Sequence, residues 1–175
     1  MTKQIQTPLL PNTAKTLRAG DSVEISGVIY TARDAAHKKI VEMMKNGENP
    51  PFPFENQIVY YAGPSPAPQG KIIGSIGPTT SGRMDAYSPF LITRGLLYML
   101  GKGIRNEETV DAIVKFGGVY FSAVGGAAAL MAARVSSCEV IAFPEFGAEA
   151  VRKLTVKNFP AIVAIDSGGR TVFNY

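Results

Sequence analysis

Apolar residues along this chain occur in short runs with a strand period, and glycine, proline and charged residues separate the runs. Residues 21–31 place Val23, Ile25 and Ile29 on one face, and Gly27 breaks the alternation. We therefore predict one bent strand or two short strands there. Further strands are predicted at 57–63, 71–77, 96–103, 139–144 and 160–167, with a strand at the start of 119–135 and a terminal hairpin at 168–175.

Helical periodicity occurs between these strands. The stretch TARDAAHKKIVEMMKNG predicts a helix in which Thr31 and Asp34 have the spacing of a capping box and Gly47 follows the last turn. A second helix is predicted between an N-cap at Asn106 and a closing Gly117. Shorter helices are predicted at 88–95, with Ser88 as N-cap and Pro89 as first residue, after Gly125 and Gly126 within 119–135, and at 147–154.

The order of these elements predicts the fold class. Strands and helices alternate in the second half of the chain, which indicates an α/β fold with some parallel pairing. The first half has strands without helices between them, so we predict a mixed sheet with flanking helices. A length of 175 residues suits a single domain spanning 1–175, in which residues 1–16 form an irregular N-terminal segment.

Composition narrows the function classes. Charged residues make up 18% of the chain and the formal net charge is +4, with the cations scattered, so no basic block resembles a nucleic-acid-binding tail and small anions suit the charge better. The single cysteine, Cys138, and the single histidine, His37, cannot supply a disulfide, a multi-cysteine zinc site or the thiolates of an iron–sulfur cluster. The N-terminus lacks a signal-peptide pattern and no apolar run approaches the roughly 20 residues of a membrane span, so we expect a cytoplasmic protein.

The stretch GPTTSGRMD, which begins at Gly77, is the strongest candidate for chemistry. Its small residues can present backbone N–H groups to an anion, and its hydroxyls, including Thr79 and Thr80, add neutral donors. Arg83 adds a bidentate donor that suits a carboxylate. The alternative is a solvent-exposed turn in which Arg83 pairs with Asp85, and composition alone favours neither reading.

Two further cations and the histidine are also candidates. Arg33 lies in the first turn of a predicted helix, where a cation opposes the helix dipole, and this suggests that it serves an anion. Lys102 stands between two glycines after a predicted buried strand, so nothing bulky beside it prevents it from reaching over a site. Taken alone, Arg33 is better explained as a solvated arginine, and the spacing around Lys102 fits a surface loop lysine equally well. His37 is either a general base or a structural histidine, and the Gly125–Gly126 pair forms either a weak anion site or a close helix–strand contact.

Several stretches resemble a known family. They are GSIGPTTSGRMDAYSPFLITRGLLYMLGKG, TARDAAHKK, VYFSAVGGAAALMAARV and FPAIVAIDSGG. Together they resemble the β subunit of class I fumarate hydratase, which forms the C-terminal domain in single-chain members, and the resemblance extends from Leu17 to the end of the chain. The β subunit of L(+)-tartrate dehydratase shares the architecture and much of the GPTTS motif. It departs around Gly82 and Asp85, so this chain is more similar to the fumarase type.

The resemblance implies a swivelling β/β/α domain and an enzyme that interconverts fumarate and (S)-malate by adding or removing water. It also implies a 4Fe–4S cluster that three cysteines of a partner α subunit hold, in an α2β2 assembly. The open iron of that cluster would act as a Lewis acid on the substrate hydroxyl. The chain would be active only with the α subunit, closing over its cluster.

The resemblance further implies roles for individual residues. The matching substrate contacts are Thr79 and three cations: Arg33, Arg83 and Lys102. Thr79 matches the base that acts at the carbon next to a carboxylate, which requires nearby cations to favour its deprotonated form; alternatively, Thr79 only orients water or substrate. The remaining motif residues have supporting roles: His37, Thr80 and Asp85.

Departures from the family and alternative functions remain open. Ala148 and Arg152 stand where a methionine and often a tryptophan are expected, which concerns packing against the partner. Fumarate, mesaconate and tartrate differ by a methyl or hydroxyl group, and a methylene-sized change is worth only about 1–3 kcal/mol in a pocket. The alternatives are therefore the β subunit of L(+)-tartrate dehydratase, or of a mesaconate or citramalate hydro-lyase, a stand-alone anion-binding module, and a nucleic-acid binder suggested by the positive charge.

Overall fold

The computed structural model describes residues 1–123 and 128–175. Within these ranges the strands are β1 (Lys3–Gln6), β2 (Ser22–Thr31), β3 (Ile58–Tyr60), β4 (Tyr98–Gly101), β5 (Val119–Ala123), β6 (Val135–Ala142) and β7 (Val151–Ile165). The α-helices are α1 (Pro11–Ala14), α2 (Asp34–Lys45), α3 (Ser88–Thr93), α4 (Glu107–Phe116) and α5 (Ala128–Ala132). Segments with 3₁₀ geometry are Ser81–Ala86 and Pro144–Glu149.

The strands form one mixed sheet, which confirms the predicted α/β class. β1 and β3 run parallel to β2, β4 runs parallel to β3, and β5 runs parallel to β4. β7 runs antiparallel to β2, β5 and β6. Because β7 pairs with both β2 and β5, the strands β2, β3, β4, β5 and β7 close into a ring. Ring closure leaves these strands without free edges.

Alternation along the strands produces two cores, since successive side chains point to opposite faces of a sheet. Tyr60, Tyr98 and Leu100 face a core that contains side chains from every strand of the ring. Val59 and Met99 face a second core, which contains apolar side chains of α2, α3 and α4. These helices therefore cover the outer face of the parallel strands, and the loops that join strands to helices lie at one end of the sheet.

The N-terminal segment is ordered, so the prediction of an irregular segment over 1–16 was wrong. β1 pairs in parallel with β2, with Ile5 opposite Ile25, and the buried Leu9 follows it into the first core. The sequence signal was weak because β1 is only 4 residues long and Ile5 is its one buried side chain.

Two other predicted elements differ from the structure. Residues 71–77 are irregular rather than a strand, and Ile73 and Ile76 are apolar because they complete the first core from a loop. Residues 147–154 were predicted to form a helix, but they leave a 3₁₀ segment and enter β7. Pairing of this stretch with both β2 and β6 outweighs its local helix propensity.

The bent strand and the second helix agree with prediction. β2 has a register irregularity between Ile25 and Gly27. Asn106 caps α4 by accepting a hydrogen bond from Thr109 N at 2.9 Å, and Gly117 ends the helix in the left-handed region with φ of 75°. Local capping signals were therefore sufficient to place both ends of α4.

Two predicted caps were wrong. Arg33 is the N-cap residue of α2, and Thr31 instead lies in β2, where its Oγ1 accepts a hydrogen bond from Arg152 N at 3.2 Å. Ser88 lies inside α3 and its Oγ donates to Met84 O at 2.9 Å. In both cases the hydroxyl binds a backbone group outside the helix that it was predicted to cap.

The C-terminal residues turn back on β7, where Thr171 forms an antiparallel bridge with Ile165, in partial agreement with the hairpin predicted at 168–175. The predicted turn at Gly125 and Gly126 lies outside the described residues. Among the residues that the structure describes, no helix combines the length and apolar character needed to cross a membrane.

Packing of the N-terminal segment on β2 predicts different costs for two glycine substitutions. Gly27 has φ of 112°, and an added Cβ would lie 2.3 Å from Thr7 Oγ1 and 3.0 Å from Thr7 O, whereas Gly47 has φ of 80° and open space around it. We expect Gly47→Ala to lower the free energy of unfolding by about 1–2 kcal/mol through its backbone conformation. Gly27→Ala should cost about 1–3 kcal/mol more through overpacking. Equal losses in urea unfolding would contradict this packing.

Candidate functional site

The candidate residues lie where the parallel strands β2, β3 and β4 end, at one edge of the sheet. Arg33 follows β2 by two residues, and Lys102 directly follows β4. Thr79 reaches the same edge from a later loop, because its N–H donates to Tyr61 O, just after β3, at 2.7 Å. In α/β folds with open or closed sheets, ligands bind at the carboxyl ends of the parallel strands. The structure therefore brings Arg33, Thr79 and Lys102 to the edge of the sheet at which such folds bind ligands.

Arg83 connects two parts of the site. Its Nη2 donates a hydrogen bond to Thr79 Oγ1, and its Nε lies 3.2 Å from Oδ1 of Asp34, the first residue of α2. The alternative in which Arg83 pairs with Asp85 is therefore wrong. Arg83 is half-exposed, so part of its guanidinium remains accessible to an anion.

Lys102 is held directly against the GPTTSGRMD segment. Thr80 and Lys102 form a parallel bridge, Ser81 N donates to Lys102 O at 2.9 Å, and Lys102 N donates to Ser81 Oγ at 3.0 Å. Gly101 permits this approach, since a Cβ there would lie 2.0 Å from Ser81 Oγ. The side chains of Thr80 and Lys102 are exposed, so the backbone is fixed while the ammonium group faces solvent.

Arg33 is partly buried at the start of α2. Its Nε is buried and has no hydrogen-bond partner among the described residues. Its aliphatic stem lies against Gly63, where an added Cβ would be 3.2 Å from Arg33 Cδ and 2.1 Å from Ala148 O. A desolvated guanidinium N–H without a partner is costly, and a bound anion would satisfy it.

His37 supports Arg33 rather than facing the site. It is 1% exposed, and its Nδ1 lies 2.9 Å from Arg33 O. Because a carbonyl oxygen only accepts, Nδ1 carries the proton of the neutral ring. The ring also contacts Tyr61 edge-on, with centroids 5.2 Å apart. Of the two predicted roles, the geometry favours the structural histidine.

Asp85 is part of a buried hydrogen-bond network and does not pair with the exposed cations of the site. Its Oδ1 accepts from Arg105 Nε at 2.7 Å and from Thr109 Oγ1 at 3.0 Å, and its Oδ2 accepts from Asn106 N at 2.7 Å. Arg105 is only 1% exposed and also donates to Ser88 Oγ at 2.8 Å. Asp85 therefore supports the site by anchoring the segment that carries Thr79 and Arg83.

The comparison with protein families decides the affiliation of the chain: the family described as Fumarase C-terminus matches residues 2–175. The chain belongs to this Fumarase C-terminus family. It is 43% identical over 157 residues to fumarate hydratase 2 of Leishmania major and 42% identical over 153 residues to the aerobic class I fumarate hydratase of Escherichia coli K12. These alignments cover 89% and 86% of the chain but only 28% of each relative.

A third relative of this Fumarase C-terminus chain has a similar length. The putative L(+)-tartrate dehydratase subunit beta of Methanocaldococcus jannaschii is 42% identical over 165 residues, which cover 91% of the chain and 85% of that relative. The chain thus corresponds to about a quarter of the fumarate hydratases and to most of a separate β subunit.

Ala148 and Arg152, the two residues that depart from the family pattern, lie in one local turn. Arg152 donates to Gly147 O at 2.9 Å, to Ala148 O at 3.1 Å and to Ala150 O at 3.3 Å. The turn that it stabilises includes the Ala148 carbonyl that lies against Gly63. Arg152 therefore has an intramolecular role beside Arg33, which sequence reasoning did not predict.

Sequence reasoning also missed the roles of four residues around the site: Asp34, Ser81, Arg105 and Tyr120. Asp34 and Ser81 lie inside the two quoted motifs, so their position was a usable signal. Arg105 follows an exposed glycine loop and is preceded by the exposed Ile104, and nothing in that local pattern indicates a buried cation. Tyr120 lies in the apolar stretch VYF that begins at Val119, and this pattern indicates only a core residue of a strand.

Burial of His37 predicts a pH dependence of stability. Desolvation lowers the pKa of His37 from its ordinary value of 6.5 to about 4, although the hydrogen bond to Arg33 O opposes this. Between these pH values the unfolded chain binds the proton and the folded chain does not, so stability falls as the pH drops from 6.5 towards 4. Through this difference in pKa, His37 lowers the free energy of unfolding by about 3 kcal/mol as the pH falls from 6.5 to 4.

The matching variant is His37→Asn, which keeps a donor for Arg33 O and does not titrate. We expect the difference in the free energy of unfolding between pH 7 and pH 4 to be smaller in this variant by about 3 kcal/mol, as measured by urea unfolding. An identical pH dependence in the two proteins would show that His37 is not held neutral by burial.

Proposed function

We propose that this chain is the β subunit of an iron–sulfur-dependent hydro-lyase that interconverts fumarate and (S)-malate. One observation carries the proposal: Arg83 donates a hydrogen bond to Thr79 Oγ1, and Arg33 and Lys102 follow the parallel strands β2 and β4 at the same edge of the sheet. The family membership and the fumarate hydratases among the relatives support the same reaction class.

The charge of the site suits a dicarboxylate. Each carboxylate needs a cationic donor, and an arginine can bind one with two parallel hydrogen bonds. Arg33 has a buried Nε without a partner among the described residues, and Arg83 and Lys102 are partly or fully exposed. Asp34 neutralises part of this charge, which leaves the site cationic.

In this proposal Thr79 is the residue that transfers the proton. Arg83 donates to its Oγ1, and a cation that binds an oxygen favours the deprotonated form of that oxygen. In the proposed dehydration, Thr79 Oγ1 accepts a proton from the carbon next to one carboxylate of malate. The C–H electron pair then forms the double bond as the C–O bond of the neighbouring carbon breaks. The released hydroxide takes up the proton from Thr79 Oγ1 through solvent and leaves as water, which restores the deprotonated Thr79. Cations on the carboxylate stabilise the charge that develops there.

The residues of this chain do not fit as ligands of a 4Fe–4S cluster. Cys138 is its one cysteine and lies on β6. In the part of the chain that the structure describes, no group of three or more histidine, cysteine, aspartate or glutamate residues could hold a metal ion. We propose that the cluster thiolates come from a partner α subunit, in an α2β2 assembly.

A second candidate is the β subunit of L(+)-tartrate dehydratase. The observation that favours it is the match with 85% of the putative M. jannaschii subunit, at an identity close to that of the fumarate hydratases. A mesaconate or citramalate hydro-lyase would need the same carboxylate contacts. These substrates differ from malate at positions that the partner subunit would help to enclose.

The chain, co-expressed with its α subunit and purified without oxygen, should dehydrate (S)-malate faster than L-tartrate or citramalate. Thr79→Val and Arg83→Ala should each lower malate turnover by about 10²-fold or more, because one removes the proton acceptor and the other a carboxylate contact. The assay is the absorbance of fumarate, with co-purification of the α subunit as a check on assembly.

Two variants of neighbouring exposed residues serve as matched controls. Thr93→Val and Arg94→Ala remove the same chemical groups from α3 and from the residue that follows it, and should leave turnover unchanged. Turnover of tartrate without turnover of malate would replace the first candidate by the second. Full malate turnover in Thr79→Val or Arg83→Ala would reject the assigned site.

A further inference from the structure

We propose that Ser81 and Tyr120 are positioning residues that fix Lys102 over the site through a chain of hydrogen bonds. The inference rests on the proposed function, in which Lys102 binds a carboxylate of the substrate. Neither residue is one of the proposed site residues, which are Thr79 and the three cations. Both act on the backbone of Lys102 and of the glycine that follows it.

The donor and acceptor of each hydrogen bond in this series follow from its two ends, because Lys102 N–H donates and Gly103 O accepts. Tyr120 Oη lies 2.7 Å from Gly103 O and 2.8 Å from Ser81 Oγ. A carbonyl oxygen only accepts, so the single Tyr120 proton is donated to Gly103 O. Ser81 Oγ must then donate its own proton to Tyr120 Oη. It is left free to accept from Lys102 N, which lies 3.0 Å away.

The hydrogen bonds therefore run in one direction, from Lys102 N through Ser81 and Tyr120 to Gly103 O. A further bond from Ser81 N to Lys102 O, at 2.9 Å, fixes the other side of the same residue. Ser81 and Tyr120 are completely buried. Loss of either hydroxyl would leave buried polar groups without partners, so the chain is held as a unit.

The local sequence explains why Lys102 needs this support. It lies between Gly101 and Gly103, and Gly103 has a left-handed φ of 84°. Glycine has the largest conformational freedom of any residue, so a Gly-Lys-Gly loop would otherwise place the ammonium group poorly. Burial is the main cause of a raised pKa of Tyr120, which therefore remains a neutral donor to Gly103 O.

The guanidinium of Arg105 packs against the ring of Tyr120 and against the neighbouring ring of Tyr61. Its Cζ lies 4.8 Å from the centroid of the Tyr120 ring and 5.2 Å from that of Tyr61. The phenol is thereby held between the strand that carries it and a buried cation. A preorganised lysine reduces the ordering cost of binding, and a loose one raises it.

The test is Tyr120→Phe, which removes the hydroxyl and keeps the ring. In the complex with the α subunit we expect the KM for malate to rise about tenfold with a much smaller change in kcat, because a binding group is misplaced. In the isolated chain we expect the Lys102 amide proton to exchange about tenfold faster, as measured by NMR. Ser81→Ala removes the central hydroxyl and should also raise the KM and speed the exchange of the Lys102 amide. If Tyr120→Phe does not fold, Ser81→Ala provides the test.

Tyr98→Phe is the matched control. Tyr98 lies on the adjacent strand β4, and its buried hydroxyl has no hydrogen-bond partner among the described residues. This variant should change neither the KM nor the exchange of the Lys102 amide. An effect equal to that of Tyr120→Phe would show that any buried phenol on this sheet matters, and would overturn the proposal.

A double-mutant cycle separates positioning from general stability. In a Lys102→Ala background, Tyr120→Phe should raise the KM by less than about twofold, because the group that it positions is gone. A full tenfold rise in that background would overturn the proposal. If the wild-type complex acts on none of the three acids, the proposed function fails, and amide exchange alone decides: unchanged Lys102 exchange in both Tyr120→Phe and Ser81→Ala would then refute the positioning chain.

Discussion

The ion pair between Arg105 and Asp85 is the interaction on which the arrangement of the site depends. The guanidinium is almost completely buried and the carboxylate is 7% exposed, with Nε and Oδ1 2.7 Å apart. Removing one partner of such a pair costs about 3–5 kcal/mol, since the other charge stays buried and unpaired. Arg105 also donates to Ser88, and Asp85 accepts from the first turn of α4. The pair therefore joins the GPTTSGRMD segment to α3 and α4 in one arrangement.

The GPTTSGRMD segment separates its support from its chemistry. Ser81 and Asp85 point inward, where they bind Lys102 and Arg105. Thr79 and Arg83 face the opposite way and contact each other at the edge of the sheet. The inward groups make buried hydrogen bonds that cost free energy if broken, so they can hold the outward groups in a geometry that their own contacts would not maintain. Ion pairs between exposed side chains alone would contribute little to the free energy of unfolding.

Patterns of local residues predicted much of this structure. Alternation and Gly27 predicted the bent β2, and Asn106 and Gly117 predicted both ends of α4. Arg33 and Lys102 reach one edge because the parallel strands β2 and β4 end there, and the hydrogen bond from Thr79 N to Tyr61 O brings the loop that carries Thr79 and Arg83 to the same edge. Their roles in catalysis came from the family resemblance, and they stay predictions.

The parts that were not predicted depend on contacts between distant residues. β7 forms because β2 and β6 pair with it on either side, and no local pattern in 147–154 reports those partners. Asp85 and Arg105 are 20 residues apart, and each has a nearer residue of opposite charge in the sequence. β1 has too few buried residues to stand out. For β7 and for the Asp85–Arg105 pair, tertiary pairing outweighed the local signal.

The central claim is that the cations at this edge bind a dicarboxylate. Its most direct test is a structure of the complex with the proposed α subunit and a bound dicarboxylate. The account predicts side-chain nitrogens of Arg33, Arg83 and Lys102 about 3 Å from the carboxylate oxygens, shared between the two ends of the ligand. It also predicts Thr79 Oγ1 beside the carbon next to one carboxylate. A dicarboxylate bound in the complex without contact to any of the three cations would contradict it.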